Sequence, residues 1–250
     1  MQSTHVTKSE LQHWIAKNHR LIPKLEEMRS SEIFKEGHTL YALILLYRDQ
    51  AIINWLTGLT YESRQELAKA SETYNLLLDL FCVKNQKIRS GFLSHAFYLP
   101  ITCTILGAEE AKRNEICKKS ILLLSNIEDV YFTNFYMALA YLSISDTNNA
   151  ASCAKSALLA DTVWNRGLLE LIICISVNDQ NRISSAWSMA LTDFHQESVS
   201  ENESMPESAL FLDGLALLKL NKLINGAIFT PRRDDEKAPL AYAYEATSKA

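Results

Sequence analysis

Few residues in this chain stand at spacings that could do chemistry. His13 and His19 lie six positions apart. Metal ligands on one helix face sit three or four apart, so this pair does not predict a metal site. His38 and His95 each stand alone near a helix start. His95 and Cys103 could form a thiol–imidazole pair, since such partners meet in space rather than in sequence. The competing expectation is a half-buried His95 and a core Cys103. Carboxylates are paired at Glu26–Glu27, Glu109–Glu110 and Asp234–Asp235–Glu236. Adjacent acids on a helix point about 100° apart and cannot share a proton or a substrate. Glu109 and Glu110 read as favourable charge at a helix start. The Asp234 cluster follows Arg232 and Arg233, and reads either as their ion-pair partner or as a docking patch. No P-loop, G-x-G-x-x-G, H-E-x-x-H, G-x-S-x-G or C-x-x-C is present, and the 7 glycines are dispersed. Catalytic residues, metal and cofactor are therefore all expected to be absent, and the chain is expected not to be an enzyme.

Composition narrows the partner class. The 250 residues suffice for a sizeable core. An apolar share of 48% and a charged share of 22% are those of a globular protein. The net charge of −4, with basic residues scattered, argues against nucleic acid. It suits a basic protein partner instead. Residues 1–5 lack the basic and apolar regions of a secretory signal. No apolar run reaches the length that spans a bilayer. The five cysteines are dispersed among apolar neighbours, as packed thiols would be. A cytoplasmic protein with no membrane partner is the expectation.

The elements that must position these residues read as helices throughout. Ser9 with Gln12 predicts a capping box opening a first helix, and Pro23 a second helix start. Apolar residues recur at helical spacing over 38–56, ended by Gly58, and again over 62–83. Residues 92–106 form a weaker pattern, with Pro100 ending or kinking a helix near Leu99. Helical spacing resumes over 108–124. Residues 130–143 and 149–160 read as a helix pair turning at Asp146–Thr147–Asn148. Ala138, Tyr141, Ala150 and Ala157 stand at the spacing of a tetratricopeptide repeat, which this pair resembles in degenerate form. The stretches 163–177 and 181–195 form a similar pair. Residues 196–206 read as an acidic surface loop, 207–223 as a last helix, and 225–250 as an irregular tail. The fold class predicted is all-α: stacked antiparallel helix hairpins, tetratricopeptide-like in the middle. It is taken as one domain over 1–250, with 1–125 and 126–250 as candidate sub-units. The tryptophans at 14, 55, 164 and 187 are expected mostly in the core.

Two segments carry a family resemblance. One is the apolar helix Ala209-Leu210-Phe211-Leu212-Asp213-Gly214-Leu215-Ala216-Leu217-Leu218. It is followed by Asn225-Gly226, the short Ala227-Ile228-Phe229 and the tail through Ala238-Pro239-Leu240. The other is Tyr47-Arg48-Asp49-Gln50-Ala51 with Trp55. In these the chain resembles the immunity protein 49 family of bacterial polymorphic-toxin systems. The resemblance implies a cytoplasmic immunity protein that binds one cognate toxin domain, an antibacterial effector such as a nuclease, and covers its active site. A nuclease domain is basic because it binds phosphates, so an acidic surface would complement it. The accessible acidic residues of this sequence are Glu197, Glu201, Glu203, Glu207, Asp234, Asp235 and Glu236, and we take them as the expected partner-binding set. The alternative expectation is a tetratricopeptide-like adaptor that binds a peptide or protein in a groove. A helical enzyme would instead need a polar cluster assembled from distant helices.

Overall fold

The computed structural model describes residues 6–30, 37–82, 99–125, 127, 129–200 and 205–226. Among them are eleven helices and no strand. In chain order these are α1 (Lys8–Ser30), α2 (Gly37–Leu56), α3 (Thr60–Cys82), α4 (Pro100–Gly107), α5 (Glu110–Leu124), α6 (Val130–Ser143), α7 (Thr147–Ala157), α8 (Arg166–Ser176), α9 (Gln180–Ser200), α10 (Pro206–Ala209) and α11 (Leu212–Asn225). The all-α class read from the sequence holds. Consecutive helices pack on one another, α2 on α3, α6 on α7 and α8 on α9. The late helix α11 returns to lie against α4 and α8. One buried cluster runs from Leu40 to Leu220. No described helix is long and apolar enough to cross a membrane.

Local chemistry explains the helix ends. Asp129 accepts from the Phe132 amide at 2.9 Å, Asp146 from Asn149 at 3.2 Å and Asn165 from Leu168 at 2.9 Å. Each cap satisfies an amide that has no partner within its own helix. Gly226 ends α11 at φ +64, in the left-handed region open to glycine. Between α6 and α7, Ala138, Ala150, Ala154 and Ala157 are fully buried, which lets the two backbones close in.

Four boundaries differ from the sequence reading. The first capping box is Thr7–Glu10, not Ser9–Gln12: the Glu10 amide donates to Thr7 Oγ1 at 3.2 Å, and the Thr7 amide to Glu10 Oε2 at 2.6 Å. Pro23 starts no second helix but lies inside α1. An interior proline costs about 3 kcal/mol. Anchors on α2 oppose that cost: Asn18 donates to the Leu46 carbonyl, and Tyr47 donates to Glu26 at 2.5 Å. Pro100, by contrast, stands where a break was expected: it opens α4 at its first turn, where its missing N–H is not needed, and residues 92–98 lie outside the described residues. Residues 196–200 of the expected loop are the last turn of α9, since no Gly or Pro interrupts them. The expected helix 207–223 is broken. Leu210 is extended at φ −141, and both Leu210 and Phe211 turn into the core between α10 and α11.

Candidate functional site

That break creates a cavity. Leu210 and Phe211 pull the chain inward, leaving Glu207 before the bend and Asp213 after it on one concave surface of about 260 Å³. Helix α2 supplies Arg48, α4 supplies Thr102 and Cys103, and α6 supplies Tyr131, Phe132, Phe135 and Tyr136. Trp164 and Asn165, just before α8, and Phe194 of α9 complete the wall.

The aromatic residues of the wall pack in two groups. Phe194 stacks on Phe211 with centroids 4.6 Å apart, and Trp187 lies 5.8 Å from Phe211. Phe132 stacks on Trp164 at 6.0 Å, and Phe135 meets Tyr136 edge-on at 4.7 Å. Trp164 is 54% exposed, unlike the buried Trp14 and Trp187. Asn165 fixes this wall. Its amide donates to Tyr131 Oη at 2.8 Å, and its side-chain nitrogen donates to the Ala190 carbonyl at 2.9 Å.

The polar end of the cavity holds the Arg48 guanidinium with the carboxylates of Glu207 and Asp213, and Asp49 bonds to Arg48 from outside the lining. Arg48 Nη2 donates to Asp49 Oδ1 at 3.1 Å and to Glu207 Oε2 at 2.7 Å. Burial alone would lower the Arg48 pKa, but Asp49 and Glu207 outweigh it and hold the guanidinium more firmly charged than usual. Asp49 sits behind Arg48, and burial pushes its carboxyl up despite that partner. Asp213 accepts from Thr102 Oγ1 at 2.5 Å and from Tyr136 Oη at 3.3 Å. Among the described residues, no cationic side chain pairs with it directly. Burial raises its pKa above the usual carboxylate value, while the two hydroxyls and Arg48 pull the other way. It nevertheless keeps partial solvent access.

A test of this imbalance follows. Asp213→Asn keeps an acceptor for Thr102 and removes the half-buried charge, so it should stabilise the protein near neutral pH by on the order of 1 kcal/mol. The sign is fixed by linkage. A carboxyl raised in the folded state costs nothing below its ordinary value of 3.8, where both states are protonated. The penalty grows as pH rises through that value and is complete above the raised folded one. Urea melts of the two proteins should therefore converge in acid and separate at neutrality. A less stable variant at neutral pH would refute the account.

Cys103 takes the core place that was the competing expectation for it. Cys103 is 1% exposed, and burial pushes its thiol up to about 12, so it stays protonated and unreactive. His95 lies outside the described residues. His13 and His19 are exposed on α1, and no cluster of metal-ligating side chains occurs among the described residues. Glu110 stands in the first turn of α5, as its favourable charge there predicts. Of the seven acids expected to bind a partner, Glu201, Glu203, Asp234, Asp235 and Glu236 lie outside the described residues, as does the Glu197 side chain. Glu207 alone is placed, at the cavity rim with its side chain 41% exposed and paired to Arg48. Sequence reasoning passed over Arg48, Asp49 and Asp213 as site residues. The signal available was charge inside apolar helices. Comparison with protein-family models, curated proteins and solved structures gives no match for this chain.

Proposed function

We propose that this protein is an immunity-type inhibitor, which binds a cognate bacterial toxin domain and covers its active site. The observation that supports the reading is a convergence. The two segments that carry the resemblance, one around Arg48–Asp49 and the other around Phe211–Asp213, meet across the same cavity. An aromatic-walled recess with an exposed tryptophan at its side and a surplus of carboxylate suits an anchor residue from a folded, basic partner. At about 260 Å³ it falls below the ~300–1,000 Å³ of pockets that take drug-sized ligands. Arg48 is already engaged and Cys103 is a locked thiol, so the cluster has no free nucleophile–base pair to favour an enzyme.

Co-expression tests the reading. The toxin domain encoded beside this gene should stop growth alone and fail to do so with this protein present, and the purified pair should form a stoichiometric complex. Growth arrest in both cases, with no complex, would end the proposal. Charge reversal at Glu197, Glu201, Glu203, Asp234, Asp235 and Glu236 should weaken the complex by about tenfold and flatten its salt dependence. Unchanged affinity would remove those six residues from the binding face. Glu207 belongs to a separate experiment, since reversing it also breaks the pair with Arg48.

The adaptor reading draws on one observation. Helix α6 of the tetratricopeptide-like pair supplies four aromatic residues to the cavity wall. It predicts binding to short unstructured peptides derived from the partner, whereas the immunity reading predicts binding to the folded domain alone.

A further inference from the structure

The cavity carries a more specific assignment, which deepens the partner-binding reading above and rests on it for the source of the ligand. We propose that it is a socket for one cationic side chain of the partner, a lysine or arginine, whose charged head lies against Asp213 and Glu207 and whose stem is held by the aromatic wall.

Three observations lead there. The first is charge. Arg48 gives its hydrogen bonds to Asp49 and Glu207 and acts on Asp213 only through its field. Among the described residues Asp213 is hydrogen-bonded by the hydroxyls of Thr102 and Tyr136 alone, so this half-buried carboxylate lacks a cation in contact. A buried charge is stable when paired, and an incoming ammonium or guanidinium supplies the missing partner. The second is the wall. Tyr131, Phe132, Phe135 and Trp164 line the side of the recess. Aromatic faces attract cations and also cover a methylene stem. The third is size. The recess is far larger than the ~30 Å³ share of one water, yet too small for a folded element. A single long side chain fits that range, and desolvated pockets of this kind hold the residues that dominate an interface. An acidic anchor is disfavoured, because it would add a fourth carboxylate beside an arginine that is already committed.

The test uses the full chain and a small probe, so it does not require the toxin. Titration with L-arginine amide, followed by tryptophan fluorescence and calorimetry, should saturate with a millimolar Kd. Norleucine amide, which has a similar stem and no side-chain charge, should bind at least about tenfold more weakly. Asp213→Asn should lose at least about tenfold in affinity for arginine amide while melting no lower than the parent, which separates lost binding from lost folding. Glu207→Gln, at the rim, should lose about threefold. Failure of arginine amide to saturate, equal binding of norleucine amide, equal binding by Asp213→Asn, or tighter binding of an aspartate amide would each overturn the socket. The two proposals fail separately. A chain that binds arginine amide but neutralises no toxin keeps the socket and loses the immunity reading. A toxin domain bound equally by the parent and Asp213→Asn keeps the immunity reading and loses the socket.

Discussion

Replacing Arg48 by methionine should lower stability by about 3–5 kcal/mol, the usual cost of removing one partner from a buried ion pair. The stem volume is largely kept, so packing is not the cause. Arg48 is only 12% exposed in its side chain and bonds to Asp49 through both Nε and Nη2. Without it, Asp49 stays buried with a carboxyl that burial already pushes up, and Glu207 loses its anchor across 159 positions of chain. The control is the double variant Arg48→Met with Asp49→Asn. Removing both charges together should restore more than half of the loss, because an apolar replacement of a whole pair is often neutral. Urea melts of the four proteins complete the cycle. The loss in the single variant should also shrink in acid. Asp49 takes up a proton more readily once its cation is gone, and the penalty then falls as pH drops through its raised folded pKa. If Arg48→Met melts within about 1 kcal/mol of the parent, the pair is not what holds α2 to the bend before α11.

How much of this was legible in the sequence depends on the kind of signal. Helices were legible because apolar spacing and end signals are local: the pattern over 130–143 matches α6, and Gly58 and Gly226 close α2 and α11 with positive φ. Pro23 misled because its penalty is local, whereas what outweighs it is not: Asn18 reaches Leu46, and Glu26 reaches Tyr47. The break between α10 and α11 was hidden for a related reason. Leu210 and Phe211 fit a helical pattern equally well, and only the ring of Phe211, closing over Gly214 and against Phe194, shows why the helix restarts. Arg48–Asp49 and Asp213 were visible as charge within apolar runs. Their meeting was not visible, since nothing in either segment says which helix it will face. Acids judged by exposure in the sequence fared differently from acids judged by burial. Glu207, read as free surface charge, is tied to Arg48, while Asp213, read as part of a helix, carries the charge that lacks a direct cation.

Gly167→Ala should cost the fold about 3 kcal/mol or more and distort the cavity wall with it. A Cβ at this position would lie 2.0 Å from the Ala190 nitrogen and 2.4 Å from its Cα. Both are backbone atoms of α9, so no rotamer change relieves the clash, and α8 must lift away from α9. The consequences run through Asn165. It caps α8, bonds the Ala190 carbonyl at 2.9 Å, and exchanges hydrogen bonds with Tyr131 Oη. A displacement there loosens Tyr131 and Trp164 together. Gly58 gives the contrast. It sits at φ +82 with nothing within 4 Å of a built Cβ, so Gly58→Ala meets only backbone strain, about 1 kcal/mol. Urea melts of both variants decide between close packing and conformational freedom as the reason for each glycine. The Gly167 variant, at temperatures where it still folds, should also bind arginine amide less well than the parent, while the Gly58 variant should bind it unchanged. Equal stability losses in the two variants would show that the close approach of α8 and α9 is no more costly to relieve than backbone strain at one turn, and the wall of the socket would then not depend on their contact.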